Sequence, residues 1–212
     1  MSPPAPDRGP VRAVTVYCGS APGCDPLFMA CASRLGSAMA DRGTALVYGG
    51  GGIGLMGAVA RSAKSAGGAV TGIITEQFMR LEQGWDGCDE MIVVPGMRER
   101  KQQLEERGDA FAVLPGGLGT YEEFFETLVG RVIGRHSKPI GILNVAGYYS
   151  PLVELVEHGI TSHFVREAVR ELVVVRETPE DLLDALLDAG AHPVAHDPRR
   201  MLPMHGYGGV TQ

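Results

Sequence analysis

A glycine-built loop runs into a segment that carries a carboxylate: Pro115, Gly116, Gly117, Leu118, Gly119, Thr120 and, three residues on, Glu123. A short apolar run precedes it, Ala110 to Leu114, and its turn-residue boundaries predict a buried strand. Beyond it Phe124, Phe125, Leu128, Val129, Val132 and Ile133 recur at three- and four-residue spacing, which predicts a helix from Thr120 onward. Strand, glycine loop and helix start together make the geometry that holds a phosphate. Glycine lets the backbone approach the anion, the first-turn N–H groups point at it, and the helix dipole favours negative charge there. Glu123 has two readings on the residues alone. Thr120 and Glu123 match a capping box, in which the glutamate only satisfies its own helix. The open loop just ahead of them favours a ligand pressed against the backbone, which a mere cap does not need.

A second glycine cluster spans Gly49 to Gly57. Gly52, Gly54 and Gly57 follow a predicted strand and Glu76 follows the next, on its face a dinucleotide fingerprint. The unit is not the first βαβ of the chain, however, and no second domain remains to hold a hydride acceptor. A tight loop for close strand–helix packing is one reading. The preferred one is a second wall of a nucleotide pocket that includes Gly51, with Cys18, Gly19 and Ser20 forming a further loop at the same edge. Arg100 and Lys101 fall in the first turns of a charged helix, a slightly unfavourable place for cations. Most of their neighbours read as a solvated face.

The elements that must position these groups alternate along the chain. Strands are predicted at Val11–Tyr17, Thr44–Tyr48, Val70–Ile74, Glu90–Val94, Ala110–Leu114, Pro139–Leu143 and Glu171–Val175. Helices are predicted from an Asp25 cap to Asp41, from the glycine cluster to Ser65, at Met97–Arg107, after Thr120, at Tyr148–Gly159, and at Pro179–Ala189 opened by Thr178. Glu76 to Gly87, with Phe78, Met79, Leu81 and Trp85, shows no period and reads as an irregular flap. The alternation predicts an α/β fold: a single-domain, doubly wound, Rossmann-like parallel sheet of about seven strands. Ligands of such sheets bind beyond the carboxyl ends of the strands at the switch point, where every glycine loop and Glu123 also lie. The domain spans 11–190. Residues 1–10, with four prolines, read as a disordered lead-in without an apolar signal region, and 191–212 as a tail.

The 212 residues suffice for one sizeable core, and the net charge of −6 argues against a nucleic-acid partner. No apolar run approaches a membrane span. Cys18, Cys24, Cys31 and Cys88 form no metal-ligand spacing and read as reduced thiols of a cytoplasmic protein. The six histidines form no cluster with carboxylates, so a metal site is not expected.

The string Pro115 to Glu123, of the pattern PGGxGTxxE, resembles the signature of the Lonely Guy family, the cytokinin-activating phosphoribohydrolases, many of which carry the older label lysine decarboxylase. A second family stretch is Met97 to Lys101, M-R-E-R-K, and the resemblance runs from about Val14 to about Val175. It implies hydrolysis of a nucleoside 5′-monophosphate, an N6-modified AMP or AMP itself, into free base and ribose 5-phosphate, in a homodimer, with no metal or organic cofactor. It further implies Arg100 and Glu123 as catalytic residues. Ser20, Gly51, Glu82, Met97, Lys101, Gly116, Gly117, Gly119 and Thr120 would bind substrate. For Glu82 plain surface exposure is an equal reading. Glu123, placed in the first helical turn, would be kept ionised by the dipole, and would stabilise the positive charge that builds on the ribose. Nothing resembles a lysine poised for pyridoxal phosphate. Plant-type members carry a Thr-Trp pair where Val129 and Gly130 stand, and many members have histidine at the place of Arg98; these departures bear on the base pocket or subunit contacts. A non-catalytic carrier of a nucleotide-like cofactor, and an NAD enzyme, are the other readings.

Overall fold

The computed structural model describes residues 10–81 and 84–191. Glu82, nearly all of the lead-in and nearly all of the tail therefore lie outside the described residues. In chain order the elements are β1 (Ala13–Tyr17), α1 (Pro26–Asp41), β2 (Ala45–Tyr48), α2 (Gly54–Ser65), β3 (Val70–Thr75), α3 (Glu76–Leu81), β4 (Glu90–Val94), α4 (Met97–Arg107), β5 (Ala110–Val113), α5 (Leu118–Val132), β6 (Ile140–Leu143), α6 (Ser150–Thr161), β7 (Val173–Arg176) and α7 (Pro179–Ala191). Short 3-10 turns at Val145–Gly147 and Glu167–Leu172 flank α6.

All seven strands join one parallel sheet in the order β4-β3-β2-β1-β5-β6-β7. The inner strands read as continuous apolar runs because both faces are covered. Val14, Val16, Leu46, Ala110 and Ala112 turn to one face, against α1, α2 and α7. Tyr17, Val47, Phe111, Val113 and Ile142 turn to the other, where Leu104 of α4, and Phe124 and Leu128 of α5, pack on them. The one buried polar strand residue of β1, Thr15, donates its hydroxyl to the Leu104 carbonyl at 2.7 Å, so its burial leaves no unmet donor. Asp25 caps α1 as expected, accepting from Leu27 N–H at 2.8 Å, with Pro26 at the first helical position.

Two expectations change. The segment after β3 is not wholly irregular. It opens with α3, six residues long, whose start is tied by the Thr75 hydroxyl accepting from Phe78 N–H at 3.1 Å. It then docks back on the β2 loop through Trp85 N–H to the Gly50 carbonyl, at 3.1 Å. Helix α5 begins at Leu118, two residues earlier than its threonine suggests, with Gly117 as N-cap and no side-chain cap. Thr120 is already inside the helix and buried, so the capping box does not form. Glu123 accordingly stands in the second turn, beyond the reach at which the helix dipole acts most strongly.

The chain leaves β1 toward β4 on one side and returns to β5 on the other, which puts the switch point between β1 and β5. The loops after these two strands touch: Gly19 N–H donates to the Pro115 carbonyl at 3.0 Å.

Candidate active site

At that switch point lies a cavity of about 290 Å³. Its walls come from the ends of β1 (Cys18 to Ser20), the start of α5 (Gly117 to Thr120), and Arg100 and Glu123. Arg100 enters it from α4, a helix with almost no apolar face, and is nonetheless buried. The reason is long-range. Arg100 Nε donates to the Ile73 carbonyl at 3.0 Å and Nη2 to the Gly49 carbonyl at 3.1 Å, at the carboxyl ends of β3 and β2. A Cβ on residue 49 would sit 2.3 Å from Nη2, so only glycine leaves room for the guanidinium. Phe78 of α3 places its ring centroid 5.9 Å from the guanidinium carbon. The remaining edge, Nη1, faces Glu123 Oε1 at 3.7 Å, and both side chains are about nine-tenths buried, with exposures of 8% and 11%. The charge neighbour of Glu123 is thus Arg100 and not the helix end.

Besides Glu123, α5 brings its start to the cavity. The first N–H groups of any α-helix have no partner within it. Here Gly117 supplies no capping side chain, and Leu118, Gly119 and Thr120 all line the cavity. Cys18, also in the lining, is held well above the ordinary thiol range by burial and then by the nearby Glu123 charge, so it stays a thiol. Tyr17 is likewise pushed up by burial, the Thr127 hydroxyl opposing.

Of the residues singled out in the sequence, Ser20, Met97, Arg100, Gly117, Gly119, Thr120 and Glu123 meet in this cavity. Gly116 lies just behind it: a Cβ there would sit 2.2 Å from Thr120 Oγ1. Lys101 is turned to the rim, paired with Glu122 at 2.9 Å and Glu126 at 3.0 Å, and those carboxylates raise its pKa. Gly51 is outside the lining and bridges Gly84 instead. Within the Gly49–Gly57 cluster only Gly49 and Met56 reach the cavity. Cys18 lines the cavity with the loop that the sequence places at this edge, whereas Phe78, which reads in the sequence only as part of a flap, had no signal but its position just after a strand at the ligand-binding edge. Among the described residues no group of His, Cys, Asp and Glu could hold a metal ion.

The family described as possible lysine decarboxylase matches residues 56–186. A probable cytokinin riboside 5′-monophosphate phosphoribohydrolase of Oryza sativa is 41% identical over 184 residues, 87% of this chain and 80% of that one. The cytokinin riboside 5′-monophosphate phosphoribohydrolase of Rhodococcoides fascians is 42% identical over 176 residues, covering 82% and 89%. The chain belongs to the Lonely Guy family. The solved molybdenum cofactor carrier protein of Chlamydomonas reinhardtii superposes with a TM-score of 0.64 at 20% identity, covering 85% of this chain and 97% of that one. At that identity the likeness is one of fold, and Lonely Guy members share it with proteins of other function.

Proposed function

We propose that the chain hydrolyses the N-glycosidic bond of a purine nucleoside 5′-monophosphate, AMP or a cytokinin-type N6-modified AMP, to free base and ribose 5-phosphate. One observation carries the reading: an Arg100–Glu123 pair at 3.7 Å opens on the same cavity as the uncapped first turn of α5. The α5 amides hold the 5′-phosphate, with Ser20 and Thr120 as neighbouring hydroxyls. Water attacks C1′, the C1′–N9 bond breaks and its electron pair leaves with the base, which in net takes up the proton that the water gives up as its oxygen bonds to C1′. Positive charge builds on the ribose as the bond opens. The Glu123 carboxylate offsets that charge and orients the water. Arg100 has two of its N–H groups committed to the Ile73 and Gly49 carbonyls, so it acts as a fixed cation. It holds Glu123 in place and presents Nη1 toward the leaving base for a charge-assisted hydrogen bond. Met97 and Phe78 supply apolar wall for the base.

Incubation with AMP, N6-isopentenyl AMP and NAD tests this directly. Free base is expected from one or both monophosphates and no nicotinamide from NAD; no base from any of them contradicts the assignment. The active form is a homodimer. Helix α5 buries Phe124 and Leu128 on the sheet and leaves Val129, like Ile133 just past its end, about half exposed, an apolar second face suited to a twofold mate. A monomer in light scattering at micromolar concentration overturns this point. The four cysteines are all free, which fits a reducing, cytoplasmic compartment, and no helix among the described residues is long and apolar enough to cross a membrane.

A further inference from the structure

The carbonyl groups of the loop ahead of α5 are all spoken for. Leu114 O accepts from the Tyr149 hydroxyl at 2.7 Å, and Gly116 O from the Tyr148 hydroxyl at 2.6 Å. Between and after them, Pro115 O accepts from Gly19 N–H and Gly117 O from Tyr121 N–H, each at 3.0 Å. Accounting for every backbone acceptor in this way fixes where the backbone donors point. In a planar trans peptide the C=O and the following N–H point in opposite directions. Tyr148 is not part of the cavity lining, whereas Gly117 is. A Gly116 carbonyl held on Tyr148 therefore turns the Gly117 N–H to the cavity side.

The Gly116–Gly117 peptide is the weak point of such a loop. Neither flanking residue has a Cβ, so steric resistance to a peptide flip is low. A flip would put the Gly116 oxygen where an anion must sit. We propose that Tyr148 and Tyr149 are positioning residues of the anion-holding loop, locking its carbonyls away from the cavity and so setting the affinity for the 5′-phosphate; this rests on the proposed function.

The support beneath the tyrosines fits that role. Tyr148 gives its single hydroxyl proton to Gly116, so at its 2.9 Å contact with the Tyr121 hydroxyl it must be the acceptor. Burial, and next Tyr121, push Tyr148 up to about 12, which keeps it a donor throughout the neutral range. Tyr148 and Tyr149 meet edge to face at 4.9 Å, and Phe28 of α1 meets Tyr148 in the same way at 5.4 Å. They descend from β6, the neighbour of β5, over a turn in which Ala146 adopts φ 52, a left-handed conformation uncommon for alanine. Asn144 secures the turn by accepting from Tyr149 N–H at 2.7 Å and donating to the Ser150 hydroxyl at 3.2 Å.

The test uses Tyr148→Phe, Tyr149→Phe and Tyr121→Phe in the full chain, with affinities for AMP, ribose 5-phosphate and adenosine alongside steady-state kinetics and Tm. Loss of one partly buried hydrogen bond on the loop is expected to raise KM for AMP, and Kd for ribose 5-phosphate, about tenfold in Tyr148→Phe. The kcat for AMP and the adenosine affinity should change much less. Tyr121→Phe, which leaves the Tyr148–Gly116 bond itself in place, shifts the same constants in the same direction by less. Equal losses for AMP and adenosine, or losses that simply follow Tm, reduce the tyrosines to packing and overturn the inference. Wild-type affinities in all three variants overturn it as well, while leaving the function intact. A wild-type protein that binds neither AMP nor ribose 5-phosphate overturns both.

Discussion

The turn from β2 to α2 and the turn from β5 to α5 are both rich in glycine, yet they use it in opposite ways. At α2 the opening amides are consumed inside the fold: Leu55 and Met56 N–H groups donate to the Gly19 carbonyl at 3.1 and 3.3 Å. Gly54 has φ 56, and a Cβ there would meet the Ser20 carbonyl oxygen at 2.2 Å, so its glycine serves close packing. At α5 it is the loop's carbonyls that are consumed, while Leu118, Gly119 and Thr120 front the cavity. Gly19 stands between the two. Its N–H takes up a carbonyl of the β5 loop and its carbonyl takes up the amides of α2. A glycine-rich strand–helix turn becomes an anion site only where nothing internal has claimed its N–H groups.

The strongest way to break the contrast is at the carboxylate that only the α5 turn carries. Glu123→Gln removes the charge with little change in volume, and turnover of AMP should fall by roughly 10² to 10³ or more, with Tm near wild type. Near-normal turnover would leave the α5 turn with no chemistry to distinguish it. Next in size is the packing glycine. Gly54→Ala forces a left-handed alanine against a backbone oxygen and should cost about 2 kcal/mol, lowering Tm by roughly 4–8 °C. Its AMP affinity at low temperature should survive. The smallest and most discriminating change is Gly119→Ala. A Cβ there meets nothing within 4 Å, and alanine favours helix over glycine by roughly 0.5–1 kcal/mol. Tm should hold or rise slightly while kcat/KM for AMP drops, as a methyl crowds the anion. An AMP defect in Gly54→Ala together with none in Gly119→Ala would invert the comparison.

The seven strands were legible because each is a short apolar run ended by turn residues, and only their limits moved by a residue or two. The start of α5 was misplaced because Thr120 and Glu123 imitate a capping box, while the true cap, Gly117, works with bare backbone and leaves no side-chain signal. Arg100 was visible only through a family string. Its helix looks uniformly solvated, and what buries the guanidinium are carbonyls 27 and 51 residues away in sequence. The cavity's glycine wall was overread for the same reason in reverse: nothing local reveals that Ser20 already fills the space at Gly54, or that the Gly19 carbonyl, more than thirty residues back, takes the Leu55 and Met56 amides. Glu82 lies outside the described residues.

The central claim is that the α5 turn holds the 5′-phosphate, and the most direct measurement is kcat/KM for AMP against adenosine, and for an N6-modified AMP against its riboside, on one enzyme stock. Loss of two charge-assisted hydrogen bonds, each about 1.5–3 kcal/mol, predicts that the nucleosides react roughly two to four powers of ten less efficiently. Comparable hydrolysis of nucleoside and monophosphate would contradict the account, because the uncapped amides at Leu118 to Thr120 would then hold no anion.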